Sequence, residues 1–158
     1  MADIVSERYA QSLYEVAKDE KQEKEYLEEL TAVCGAFREN PDFLKLLTTP
    51  SIAFEDKQNV LKTVFEGKIR PFVLNFLMLT TEKGRIGLIH EMREAYKEQY
   101  YFENNIAEVC AVTAVPMSDA LRDRLKNKMQ AVTGRQVVLE TSVDPEIIGG
   151  IVVKVNNE

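Results

Sequence analysis

Residues 96–115 read YKEQYYFENNIAEVCAVTAV, and the chain changes character within them. Up to Glu103 the apolar side chains recur at helical spacing. From Ile106 to Val115 they run almost unbroken, as in a strand covered on both faces. The polar pair Asn104-Asn105 separates the two periods, so two domains are expected, residues 1–104 helical and residues 105–158 strand-rich. The fold class that follows is α+β: an N-terminal six-helix bundle followed by a small β-α-β-β domain.

Toward the N-terminus, Asp3 is placed to cap a helix from Ile4 to about Lys18. Val5, Tyr9, Leu13 and Val16 form one stripe there, expected in the core, and Ala10, Tyr14 and Ala17 form a second beside it. Together they are wider than the roughly 100° face that seats a surface helix. A second helix, about Glu20 to Arg38, has a single stripe of Tyr26, Leu27, Leu30, Val33, Cys34 and Phe37, with acids in its first turns where the helix dipole favours them. Asn40-Pro41 opens a short helix that Thr49-Pro50 closes. A fourth runs from about Phe54 to Phe65 and stops at Gly67. In the fifth, about Ile69 to Glu82, apolar side chains from Phe72 to Leu79 point around nearly the whole circumference, broken only by Asn75. Such a helix lies at the centre of a bundle or offers a face to a partner. The sixth spans Arg85 to about Glu103, with Leu88, Ile89, Met92, Tyr96 and Tyr100 inward.

Beyond Ile106, Pro116 ends the first strand and Ser118 caps a helix to about Thr133, with Leu121, Leu125, Met129 and Val132 expected inward. Gln136 to Val143 alternates, and Asp144-Pro145-Glu146 turns the chain into a strand from Ile148 to Val155. A parallel first pair joined by the crossover helix, followed by a hairpin, is the expected topology.

The 158 residues carry 20 basic and 26 acidic side chains, 14 and 19 of them within residues 1–104. A pI near 5 argues against tight nucleic-acid binding, which needs basic surface to displace counterions. No apolar run approaches the roughly 18 residues of a membrane span, and the N-terminus lacks a signal-peptide pattern. Cys34 and Cys110 sit in apolar stretches, so buried free thiols are expected. His90 has no partners at metal-ligand spacing, and no nucleophile motif, Walker-type loop or cofactor motif occurs. Catalytic, metal and cofactor sites are therefore all expected to be absent. Gly84-Arg85-Ile86-Gly87 has the form of a KH-type backbone clamp, but two glycines at a helix joint read more simply as a cap and a close-packing position. On the residues alone, an RNA-binding module, an unrelated helical adaptor and an enzyme with an unrecognised site remain alternatives. The surplus apolar surface of the first and fifth helices points to a groove for another protein's amphipathic helix.

These residues resemble the delta subunit of bacterial F-type ATP synthase, the relative of the mitochondrial oligomycin-sensitivity-conferring protein. Arg8-Tyr9-Ala10 with Leu13, Tyr14 and Ala17 is similar to the family's opening helix. Asn40-Pro41, Pro50, Lys57, Asn75-Phe76-Leu77 and Gly84-Arg85 match its middle. Ala107-Glu108-Val109, Val115-Pro116-Met117-Ser118, Gly134 and Val143-Asp144-Pro145-Glu146-Ile147-Ile148-Gly149-Gly150 match its C-terminal part.

The resemblance implies a non-catalytic peripheral-stalk subunit. Its helical domain holds N-terminal segments of alpha subunits, and its C-terminal domain meets the end of the b subunit, so that rotor torque is resisted during proton-driven ATP synthesis. It further implies a peripheral place on the cytoplasmic face of the bacterial plasma membrane, reached only through the complex, with the isolated chain a monomer. The implied alpha-binding groove is lined by Ala10, Leu13, Tyr14, Ala17, Val73, Phe76 and Leu77. Because Ala10 lies off the Val5–Val16 stripe, Ala10→Arg is expected to block the groove and leave the fold intact. Family members continue past the Gly-Gly strand with a further strand and a final helix. A chain ending at Asn156-Asn157-Glu158 is thus expected to lack that tail and to have an incomplete C-terminal domain.

Overall fold

The computed structural model describes residues 3–155; Asn156, Asn157 and Glu158, on which the expectation of a missing tail falls, lie outside the described residues. Two compact units are present, Met1–Tyr100 and Tyr101–Glu158.

The first unit is built from α1 (Ile4–Asp19), α2 (Glu23–Glu39), α3 (Pro41–Thr48), α4 (Phe54–Phe65), α5 (Pro71–Glu82), a 3-10 turn (Ile86–Leu88) and most of α6 (Ile89–Glu103). Local chemistry sets these boundaries. The Ser6 N–H donates to the Asp3 carboxylate at 2.8 Å, and Pro41 and Pro71 occupy first-turn positions where no amide donor is needed. Gly84, at φ +72°, stops α5, with the Arg85 N–H donating to the Thr80 carbonyl at 2.7 Å.

The core of this unit draws on every helix. Tyr14 meets Tyr96 edge-on, with ring centroids 5.2 Å apart, and the Tyr96 hydroxyl donates to the Glu23 carbonyl at 2.7 Å. Phe37, Phe43 and Phe65 cluster where α2, α3 and α4 converge.

Helix α1 reverses the expected order of its two stripes. Its buried side chains are Ser6, Ala10, Leu13, Tyr14 and Ala17, whereas Val5, Tyr9 and Val16 are only half-buried, the last two at the edge of the core. Small residues at positions 6, 10 and 17 let α1 approach its neighbours closely, and the bulkier stripe then reaches in from the side.

A polar clamp fixes the start of α5. Glu29 of α2 accepts from the Arg70 backbone N–H at 2.5 Å and also pairs with the Arg70 guanidinium, which donates to the Gln22 amide oxygen at 2.8 Å. Glu29→Ala should remove about 1–3 kcal/mol of stability, since it leaves the half-buried Arg70 cation with Gln22 alone and the Arg70 N–H without its acceptor. Equal urea midpoints for the variant and the parent would show the clamp to be ornamental.

In the second unit, β1 (Ile106–Thr113), α7 (Asp119–Thr133), β2 (Gln136–Val143) and β3 (Ile151–Val155) follow in order. β1 pairs parallel with β2, with Ile106 opposite Gln136, as expected of a crossover helix. The expected β2–β3 hairpin is not formed. β3 pairs antiparallel with β1, Val109 opposite Val155, giving the order β2-β1-β3. β1 is the most buried strand, and a central strand needs partners on both sides. The connection through Asp144–Gly150 is too long for a tight hairpin and carries the chain across to the far edge.

Three local corrections accompany this. The last strand begins at Ile151, not Ile148, because Gly149 and Gly150 both sit at positive φ. Cys34 is buried as expected, but Cys110 is only half-buried. Val132 points outward at 71% exposure, and no side chain of α7 is fully buried.

Candidate functional site

The exposed large apolar side chains of the helical unit are Ile4 on α1 and Phe72 and Leu79 on α5. Glu91 of α6 accepts from the Ser6 hydroxyl at 3.5 Å while Tyr96 meets Tyr14, so α6 runs in the same direction as α1. α5 leads into α6 through Lys83–Leu88. α1 and α5 touch where the Tyr9 ring meets Phe76 edge-on, with centroids 6.3 Å apart. The Arg85 guanidinium lies over the Tyr9 ring, 5.8 Å from its centroid, a cation–π contact.

Along α5 the inward arc is Val73, Leu74, Phe76, Leu77, Thr80 and Thr81. Phe72 and Leu79, seven residues apart and so on one edge of the helix, remain 48% and 46% exposed. Val5, Tyr9 and Val16 form the matching edge of α1, half-buried on the side that Tyr9 shares with Phe76. The result is an apolar strip with Tyr9 and Phe76 as its floor and aliphatic or aromatic walls on either side. On the other flank of α5 a cleft opens against α4, lined by Gln58, Lys62, Glu66, Asn75 and Met78, a mixed lining rather than an apolar seat.

All seven side chains expected to line a groove, Ala10, Leu13, Tyr14, Ala17, Val73, Phe76 and Leu77, are buried in the core of the unit. They lie on the two helices that frame the strip, but the surface a ligand would meet belongs mainly to Val5, Tyr9, Val16, Phe72 and Leu79, with Phe76 at the base. The signal that could have found Phe72 and Leu79 was present: they flank Asn75, the one polar residue between them, which marks the solvent side.

Other chemistry is sparse. Burial pushes the Cys34 thiol up to about 11, so it is no nucleophile at neutral pH. Burial, with Arg38 and Arg93 nearby, holds His90 below its ordinary value, and its Nδ1 has no hydrogen-bond partner among the described residues. Among the described residues, no group of three or more His, Cys, Asp or Glu could hold a metal ion. Gly84 and Gly87 serve the helix joint: Gly84 caps α5, and a Cβ added at Gly87 would come 3.6 Å from the Thr48 methyl.

The model of one protein family, described as ATP synthase delta (OSCP) subunit, matches residues 5–158. The chain belongs to this family. Relatives called ATP synthase subunit delta match nearly all of this chain. That of Clostridium kluyveri is 32% identical over 157 residues, covering 99% of this chain and 87% of the relative. That of Alkaliphilus metalliredigens is 34% identical over 158 residues, with 100% and 88% covered. That of Solidesulfovibrio magneticus is 36% identical over 160 residues, with 99% and 87% covered. In fold the chain is similar to one in the Toxoplasma gondii mitochondrial ATP synthase hexamer, with a TM-score of 0.73 at 22% identity, over 95% of this chain and 85% of that one. No described helix is long and apolar enough to cross a membrane.

Proposed function

We propose that the chain is a non-catalytic peripheral-stalk subunit of a bacterial F-type ATP synthase, holding the catalytic head against the stalk so that rotor torque is resisted during proton-driven ATP synthesis. The family match over nearly the whole chain is the observation that carries this reading. Residues 1–104 act as the six-helix domain that receives N-terminal segments of alpha subunits, and residues 105–158 take the C-terminal end of the b subunit. The protein works on the cytoplasmic face of the plasma membrane, attached through the complex, and is a monomer when isolated. It needs no cofactor or metal.

The α1–α5 strip is the seat for the alpha segment. Phe72 and Leu79 on one wall and Val5, Tyr9 and Val16 on the other are spaced to accept the apolar face of a helix. Ala10, Leu13, Tyr14, Ala17, Val73 and Leu77 form the packed layer that holds those walls in position, and Phe76 belongs to both.

The test is titration of the full chain with a peptide of about the first 25 residues of the cognate alpha subunit. Saturable 1:1 binding should appear in calorimetry, with a gain in helical circular dichroism as the peptide folds onto the strip. Absence of binding by the folded chain would sink the alpha-seat reading.

A further inference from the structure

We propose that the N-terminus of α4, together with the ammonium of Lys57, is a binding site for a single carboxylate group. The site goes beyond the stalk role and does not rest on it.

Lys57 stands where a lysine is costly on three counts. It is only 9% exposed, on the inward face of α4 with Leu61 and Phe65, whereas lysines are almost never buried without a partner. It lies near the start of its helix, where the dipole disfavours a cation. Its side chain makes no hydrogen bond or ion pair among the described residues.

No carboxylate of its own unit answers it. The neighbours at helical spacing, Ala53, Phe54, Val60 and Leu61, are all apolar. Glu55 and Asp56 are exposed and lie about 160° and 100° round the helix from it. Against α4 packs α5, with Gln58 meeting Met78 at one end of their cleft and Glu66 near Pro71 at the other, so the two helices run antiparallel. The start of α4 is thus level with the end of α5. There the Leu79, Thr80 and Thr81 carbonyls already accept from the N–H groups of Lys83, Arg85 and Gly84. Glu82, the carboxylate at that end, is exposed and forms no ion pair with Lys57. The Thr81 hydroxyl at the same level is buried and also lacks a partner among the described residues.

The donors for an anion are in place. α4 begins at Ala53, whose methyl accepts no hydrogen bond, so its first amides have no side-chain cap. The Asp56 and Lys57 N–H groups turn back to the Ala53 carbonyl at 3.1 and 3.2 Å, which leaves those of Phe54 and Glu55 without an acceptor among the described residues. A helical side chain leans toward the N-terminus of its helix, so the Lys57 stem carries its ammonium toward those two amides. Two amides at the positive end of a helix and one ammonium match the two oxygens and single charge of a carboxylate. A phosphate carries nearly twice that charge, and one cation leaves the excess uncompensated beside Glu55 and Asp56.

Amide NMR of the full chain, titrated with sodium acetate against sodium chloride at equal ionic strength, tests the site. The Phe54 and Glu55 signals should follow a saturable curve with acetate and not with chloride. Lys57→Arg should keep that response, and Lys57→Met should weaken it at least about tenfold. Because methionine keeps the packing of the stem and removes the unanswered charge, Lys57→Met should melt no lower than the parent. A lower melting temperature would reveal an internal partner and overturn the proposal. Equal acetate responses in parent and Lys57→Met, or inorganic phosphate binding at least about tenfold tighter than acetate, would overturn it too.

Amide exchange separates the two sources of the carboxylate. Slowed exchange at Phe54 and Glu55 in purified ATP synthase containing this chain, with no acetate added, assigns it to a neighbouring subunit. Exchange slowed only when acetate is added to the chain alone assigns it to a small free acid. Exchange slowed in neither case overturns the site.

Discussion

Ala10→Arg should unfold the helical unit, or lower its melting temperature by at least about 15 °C, rather than leave a folded protein with a blocked groove. Ala10 is 2% exposed and belongs to the stripe on which α1 packs. A guanidinium there brings severe overpacking and a charge without a partner. Overpacking alone costs about 1–3 kcal/mol, and an unpaired buried charge adds several more, even after the side chain bends toward water. Against a total stability of about 5–15 kcal/mol, that is a large fraction. Loss of alpha-peptide binding would then come from loss of structure, and a circular dichroism melt run beside the titration distinguishes the causes. A parental melting curve for Ala10→Arg would mean that position 10 faces the open strip and that the stripe assignment of α1 is wrong.

What the sequence disclosed and what it hid divide along one physical line. Features set by neighbours in the chain were legible. The Asp3 and Ser118 caps, the Pro41 start, the glycine cap at the α5–α6 joint and the single stripe of α2 all follow from residues within a turn of each other. The parallel β1–β2 pair was legible too, because a crossover helix permits little else. Features decided by competition between distant elements were not. α1 carries two apolar stripes, and only the close approach permitted by Ser6, Ala10 and Ala17 makes the smaller-residue stripe the buried one. β3 had a free edge on β2 and a free edge on β1 to choose from, and pairing with the central strand buries more backbone. The candidate site suffered from the first of these. Once α1 is turned, residues expected at the surface go into the core, and the surface passes to Val5, Tyr9 and Val16 with Phe72 and Leu79.

The double substitution Phe72→Asp with Leu79→Asp should leave the chain folded and abolish alpha-peptide binding, which makes it the complement of Ala10→Arg. Both side chains are about half exposed and flank the solvent-side Asn75, so each replacement removes partial burial without opening a cavity in the core. Exposed substitutions of this kind usually change stability by about 0.5 kcal/mol or less, although half-buried apolar residues lie toward the larger end. A melting-temperature shift under about 8 °C is therefore expected for the pair. Binding responds differently. When a helix covers the strip, these two walls become fully desolvated, and a central apolar anchor commonly contributes about 1–2 kcal/mol or more to affinity. Two carboxylates in its place remove that gain and must themselves be dehydrated without a partner. Together they should weaken binding by about 3 kcal/mol or more, at least a hundredfold in Kd. The geometry also fixes which control is informative. Gln58→Asp alters the α4–α5 cleft on the opposite flank of α5 and should leave the titration unchanged. If Phe72→Asp with Leu79→Asp binds the peptide as the parent does while Gln58→Asp does not, the alpha segment occupies the cleft and not the strip between α1 and α5.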